Sequence, residues 1–288
     1  MPYTIFCEDK YNAIYHEKYE HILNGRTSDN AKQTAEREAQ KIAIKETFKD
    51  ALTQFFPAHE AAELWKAIYV AHLKRKAGIL DLNTIDEDVI KSVISADQSW
   101  KKASGHVFES YISETANPLL QPQSIRFVLQ KELSQMIRDN NIHNDEVDLN
   151  WLRSRIHTDV FDLYALASRL DRNYVYGCIQ SKTSIRDRVT RDREPSRQAM
   201  DAPFWSIAIT LNGAFLAMPK FREMVNGGGT DYEANGWHGL YVMSEQYTND
   251  RIYPIDSDLT LLIEHARQAA EAWMSARNRF DYTWKPRE

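Results

Sequence analysis

Apolar residues recur at helical spacing along the Ala-, Glu- and Lys-rich stretch from about Asp29 to Lys76, interrupted at Pro57. The spacing predicts two helices, the second closing near Gly78. The same period returns in "TIDEDVIKSVISADQSW" (84–100), where Thr84 or Asp86 can cap, so roughly the first hundred residues are expected to form a helical region. Beyond it, "SWKKASGHVFESYISET" reads as a helix with Phe108, Tyr111 and Ile112 on its apolar face. "PQSIRFVLQKELSQMIRDNN" reads as another, running out in the polar turn "RDNNIHNDE".

The pattern then changes period. Two strand-like runs, "DVFDLYALAS" and "NYVYGCIQS", flank the polar, turn-like "RLDRN", which predicts a β-hairpin. Further strands are expected at "FWSIAITLN" and "GLYVMSE", with the glycine-rich "NGGGTDYEANG" before the second, and "DLTLLIEHARQAAEAWMSARNRF" predicts a closing helix. Helices, then a mixed sheet, then a helix imply an α/β or α+β core behind a helical amino-terminal region. We divide the chain at residues 1–100 and 101–288.

Composition narrows the class without naming a chemistry. With 288 residues, 43% hydrophobic and 27% charged, the chain is an ordinary globular protein. It lacks any run long enough for a membrane helix, and "MPYTIFCEDK" lacks the basic and apolar regions of a signal peptide, so a cytoplasmic location is expected. Cys7 and Cys178 are far apart and without metal-ligand spacing. The glycines of 226–236 do not make a phosphate loop. His143, His157 and His238 are expected to be turn or packing residues, and Trp205 and Trp237 core or interface.

A net charge of -5 argues against nonspecific coating of nucleic acid, but its distribution is uneven. Between Lys182 and Arg197 stand six basic residues in sixteen positions, Lys182, Arg186, Arg188, Arg191, Arg193 and Arg197, against Asp187, Asp192 and Glu194. The hairpin acts as a ruler for what lies at the start of this strip. In an antiparallel pair, opposed residues have numbers that sum to a constant. A turn centred on Asp171 sets Asp162 opposite Gln180, with Lys182 two residues on and on the same face. Asp159 would point away and ranks second.

Asp162, Gln180 and Lys182 resemble the active site of the PD-(D/E)xK nucleases, and more closely that of the type II restriction endonucleases, with Phe161 in place of the proline and the second half in its Q-x-K form. "SGHVFE", Ser104 to Glu109, is similar to the helix that carries an active-site glutamate in several restriction endonucleases, including those cutting around CCGG. The resemblance implies a restriction-endonuclease-like mixed sheet flanked by helices. It also implies a metal site of Asp162 and Glu109, with Glu194 as a counterpart of the glutamate that some CCGG cutters draw from the helix after the lysine strand. Mg²⁺ is the implied ion, Gln180 offers a neutral oxygen, and Lys182 orients the attacking water or neutralises phosphorane charge. Arg186, Asp187 and Arg188 would read G·C pairs, and Arg191, Arg193 and Arg197 would hold phosphates. The implied partners are double-stranded DNA and a second copy of the chain, since a palindromic target needs a two-fold dimer or higher homo-oligomer. The helical region would serve dimerisation or DNA clamping. A repair-type nuclease without strict specificity and a noncatalytic DNA-binding protein are the competing readings.

Overall fold

The computed structural model describes residues 2–78, 87–156, 158, 160–183, 189–277 and 280–287, with side chains left aside at 87–90, 102, 189 and 190. The chain divides into two compact units, Met1–Phe108 and Glu109–Glu288. Among the described residues no helix is long and apolar enough to cross a membrane.

The first unit is helical. It contains α1 (Tyr3–Leu23), α2 (Asp29–Phe55), α3 (Ala61–Ala77) and the start of α4 (Glu87–Leu120). Ser28 caps α2 by accepting from the Ala31 N–H, and Gly78 closes α3 in the left-handed conformation at φ 66°. Ala35, Ala39, Ala43 and Ala51 form a buried small-residue stripe on α2 that admits close neighbours, and Phe48, Trp65 and Trp100 fill the core edge to face. His72 is buried between the Tyr11 hydroxyl at 2.9 Å and the Ala96 carbonyl at 3.1 Å, and burial holds its pKa down at about 4.

The second unit is built on a six-stranded mixed sheet in the order β1 to β6: Ile125–Leu129, Leu163–Arg169, Arg172–Lys182, Trp205–Thr210, Gly239–Val242 and Ile252–Pro254. The first three strands run antiparallel, and β4, β5 and β6 continue in parallel from β3. Tyr174 packs on Trp273 and Tyr176 bonds the Ala266 carbonyl, so α9 (Thr260–Ala276) covers one face. On the other face Val128, Tyr164, Leu166 and Cys178 join a core with α5 (Gln130–Arg138), α6 (Glu146–Ile156) and α7 (Val189–Asp201). A second cluster on Trp237 and Leu240 takes in α8 (Pro219–Asn226).

Several elements differ from the sequence reading. The helix expected across 122–141 begins only at Gln130, because Ile125–Leu129 pairs with β2 and Asn117 clasps Phe127 through both its N–H, at 2.7 Å, and its C=O, at 2.9 Å. The two helices expected across 84–115 are one, α4, running to Leu120. Helix α6 and strand β6 were not expected; β6 is three residues long, too short to show a period.

Candidate active site

The β2–β3 hairpin positions the candidate residues Asp162, Gln180 and Lys182. Its turn is the two residues Leu170 and Asp171, both at positive φ (51° and 58°), and Arg169 pairs with Arg172. That pairing sums to 341, not the 342 expected. A bulge then gives Tyr176 no partner: Leu166 faces Val175, but Ala165 faces Gly177, and the sum becomes 342. Leu163 therefore pairs with Ile179, and one residue further Asp162 stands opposite Gln180. The expected register holds at this end because two departures from the simple ruler cancel.

Asp162 immediately precedes β2, and its N–H bonds the Ile179 carbonyl at 2.9 Å. Its Oδ2 accepts from the Ser181 N–H at 2.7 Å and from the Lys182 ammonium at 3.2 Å. Both groups are largely shielded, with side-chain exposures of 17% and 16%. Burial pushes the Asp162 carboxyl up, while Lys182 and the Ser181 N–H pull it back. Both contacts fall on Oδ2, and neither on Oδ1.

Gln180 lies on the same face as Lys182 but is fully buried. Its Oε1 accepts from the Trp237 indole at 2.7 Å, and its Nε2 donates to the Asp192 carbonyl at 3.0 Å. The amide thus braces β3 against the first turn of α7 and the segment entering β5, with its oxygen already held by Trp237. Asp192 shares a small pocket with Gln180, Lys182 and Trp237. Sequence reasoning passed over it, although Asp192, Ser196 and Ala199 keep helical spacing and Ser196 and Ala199 are fully buried. Ser196 fixes that stripe to β4 through the Ser206 hydroxyl at 2.7 Å. Glu194 falls on the outer side of α7, exposed, and accepts from Gln198 at 2.9 Å.

The basic strip divides by helix face. Arg193 donates to the carbonyls of Ala234 at 2.6 Å and Met224 at 3.4 Å and lies over the Tyr232 ring. Arg197, one turn on, reaches the Asn235 carbonyl at 3.3 Å and lies over Tyr282. Both expected phosphate residues thus face the glycine-rich loop and bond carbonyls of it and of α8. Arg191 is exposed. Arg186, Asp187 and Arg188, like the rival Asp159 and His157, lie outside the described residues.

Glu109 is half-buried on α4. Its neighbour Phe108 is set against Trp65, 6.2 Å between ring centroids, within the helical unit. His238 is a structural residue: its Nδ1 accepts from the Ser206 N–H at 2.9 Å, its Nε2 donates to the Asp281 carbonyl at 2.8 Å, and burial drops its pKa to about 3.

Among the described residues no three His, Cys, Asp or Glu side chains stand close enough to form a preformed metal site. The donors fit a hard divalent cation nonetheless. Mg²⁺ is commonly held by one or two carboxylates, with waters and substrate phosphate completing the shell. Asp162, a largely shielded carboxylate whose two described hydrogen bonds both fall on Oδ2, suits that role, and Asp192 lines the same small pocket as Lys182.

Comparison with known proteins gives the arrangement its context. Residues 139–279 match the family model "BsaWI restriction endonuclease type 2". The crystal structure of the restriction endonuclease BsaWI in a pre-specific DNA complex is similar over 99% of this chain and 98% of that one, at 50% identity and TM-score 0.68. AgeI in a specific DNA complex shares the fold over 86% of each chain, at 18% identity and TM-score 0.51. Comparison with curated protein sequences gives no match. At half identity over nearly its whole length, the chain belongs to the BsaWI restriction endonuclease family and is a site-specific nuclease.

Proposed function

We propose that the chain is a Mg²⁺-dependent type II enzyme that binds double-stranded DNA as a homodimer or higher homo-oligomer and hydrolyses it at a CCGG-like target containing CC/GG. The observation that carries this reading is the shielded Asp162–Lys182 pair at 3.2 Å, with Asp192 lining the same small pocket as the lysine. When bound, the ion would polarise the scissile phosphate and lower the pKa of the attacking water. Asp162 would hold the ion, and Asp192, in the role first given to Glu194, would be the second carboxylate. Glu109 from α4 is the third candidate ligand.

Lys182 holds its ammonium beside Asp162, where it orients the water or meets the charge developing on phosphorus. Gln180 acts by bracing α7 and does not bind the ion. Arg186, Asp187 and Arg188 follow directly on β3 and read base edges, because arginine bonds guanine O6 and N7 in bidentate fashion and aspartate accepts from cytosine N4. Arg191, exposed in the first turn of α7, contacts a phosphate. The helical unit serves dimerisation or DNA clamping, and the enzyme works in the cytoplasm. BsaWI and AgeI, both seen on DNA, support this assignment.

The test is incubation of the protein with unmethylated phage DNA, with and without Mg²⁺, followed by run-off sequencing of the ends. Discrete fragments only with Mg²⁺ and a common CC/GG-containing end sequence are expected. Asp162→Ala and Lys182→Ala should each lower the rate by at least about 100-fold with folding intact, the scale of one lost transition-state contact. Full activity in either variant refutes the site.

A further inference from the structure

The hairpin carries a second cluster at its other end and on its other face. An open pocket of about 690 Å³, within the size range of small-ligand sites, lies between the turn, the loop before α6 and the end of α9. Its Arg169 lies seven residue steps from Asp162 along the strand, about 23 Å at the usual rise.

Arg169 and Arg172 close the turn and face each other directly across the strands. Like charges so placed oppose pairing. Both are exposed, and among the described residues neither has an ion-pair partner, Asp171 at the tip included. The third guanidinium at the pocket is matched: Arg277 pairs with Asp145 at 3.1 Å and with Asp148. Two positive charges are therefore left uncompensated. The wall beside them is aromatic and braced. Tyr174 sits 6.4 Å from Trp273 and 6.3 Å from His143 between ring centroids, Arg277 lies over Trp273, and the Trp273 indole donates to the Pro203 carbonyl at 2.7 Å.

Paired guanidinium groups match phosphate oxygens, and a fixed ring offers a base its stacking face. We propose that this pocket is a second ligand site for a nucleotide unit, its phosphate on Arg169 and Arg172 and its base against Tyr174, supplied either as a free mononucleotide or by a single strand of DNA.

The test is calorimetric titration of the full chain with deoxyadenosine monophosphate, with a 5′-phosphorylated single-stranded hexanucleotide, and with inorganic phosphate. Saturable binding of at least one nucleotide form is expected. It should be at least tenfold weaker in the double variant Arg169→Ala/Arg172→Ala, severalfold weaker in Arg172→Gln, and unchanged in Lys182→Ala. Target cleavage should survive the double variant, which shows the fold intact. Binding of the mononucleotide identifies a free ligand, and binding of the hexanucleotide alone identifies a strand. No saturable binding of either, equal binding of inorganic phosphate, or binding lost in Lys182→Ala but kept in the double variant would overturn the assignment.

Discussion

Gln180 stands where the nuclease motif usually carries an acid, and Gln180→Glu measures what its amide does. The substitution is nearly isosteric and keeps an oxygen for the Trp237 indole. It replaces the Nε2 donor, 3.0 Å from the Asp192 carbonyl, with a second oxygen at a fully buried position. Two acceptors cannot share that contact unless the new carboxyl is protonated. An unperturbed glutamate side chain titrates near 4.3, so holding the proton at pH 7 costs about 4 kcal/mol, from about 1.4 kcal/mol per unit. Lys182, on the same face, offsets part of this, which makes the figure an upper limit.

The sign follows from linkage. The folded-state pKa of the introduced carboxyl would lie above its unfolded value, so the variant matches the parent near pH 4 and loses ground as pH rises, by up to about 1.4 kcal/mol per unit. For a unit of this size that corresponds to a melting deficit of up to roughly 8–15 °C at pH 7. Scanning calorimetry of both proteins at pH 5 and pH 7 reads the difference directly. Equal melting temperatures at pH 7, or a deficit that grows on acidification, would refute the bracing role.

Arg193→Ala should lower stability by about 2–3 kcal/mol through loss of its bonds to the Ala234 and Met224 carbonyls, while the salt dependence of DNA binding stays unchanged. A salt slope reduced by about one in a binding titration would return Arg193 to the DNA. Asp192→Asn should cut the cleavage rate by at least roughly tenfold and weaken its Mg²⁺ dependence, whereas Glu194→Gln should cleave like the parent; the reverse result in a metal titration would restore Glu194. His238 and His265 are buried with pKa values of about 3 and about 4, below their unfolded value. Their contribution is complete above about pH 6.5 and lost on acidification, each adding a slope of up to about 1.4 kcal/mol per pH unit. Urea titrations between pH 7 and pH 4.5 check it, and a flat profile would contradict the buried, neutral assignment.

The hairpin was legible because strand alternation and a polar turn are local signals, and Asp162, Gln180 and Lys182 follow from them. What each side chain touches was not legible in the same way. Arg193 and Arg197 read as part of one positive strip, yet a helix turns 100° per residue, and these two face a loop of carbonyls while Arg191 faces outward. Asp192 extends the buried stripe of Ser196 and Ala199 back one turn, a periodic signal separate from the motif similarity that points to Glu194. Strand β1 was hidden because "IRFVL" runs without a break into a helical pattern, and only its pairing with β2 and the Asn117 clasp mark the boundary. Gln180 looked like a weakened ligand because its partner Trp237 is 57 residues away.

The unpaired Tyr176 has a consequence for how the hairpin can vary. It acts as a phase shifter between two segments of one ladder. If the pairing of Arg169 with Arg172 ran on without it, Asp162 would meet Ile179, and Gln180 and Lys182 would turn to the face covered by α9. One residue thus separates the timing of the tip from that of the Asp162–Lys182 end. The tip can gain or lose whole residue pairs without moving the aspartate and lysine out of step, whereas deletion of a single residue between Gly177 and the turn would put Asp162 and Lys182 on opposite faces.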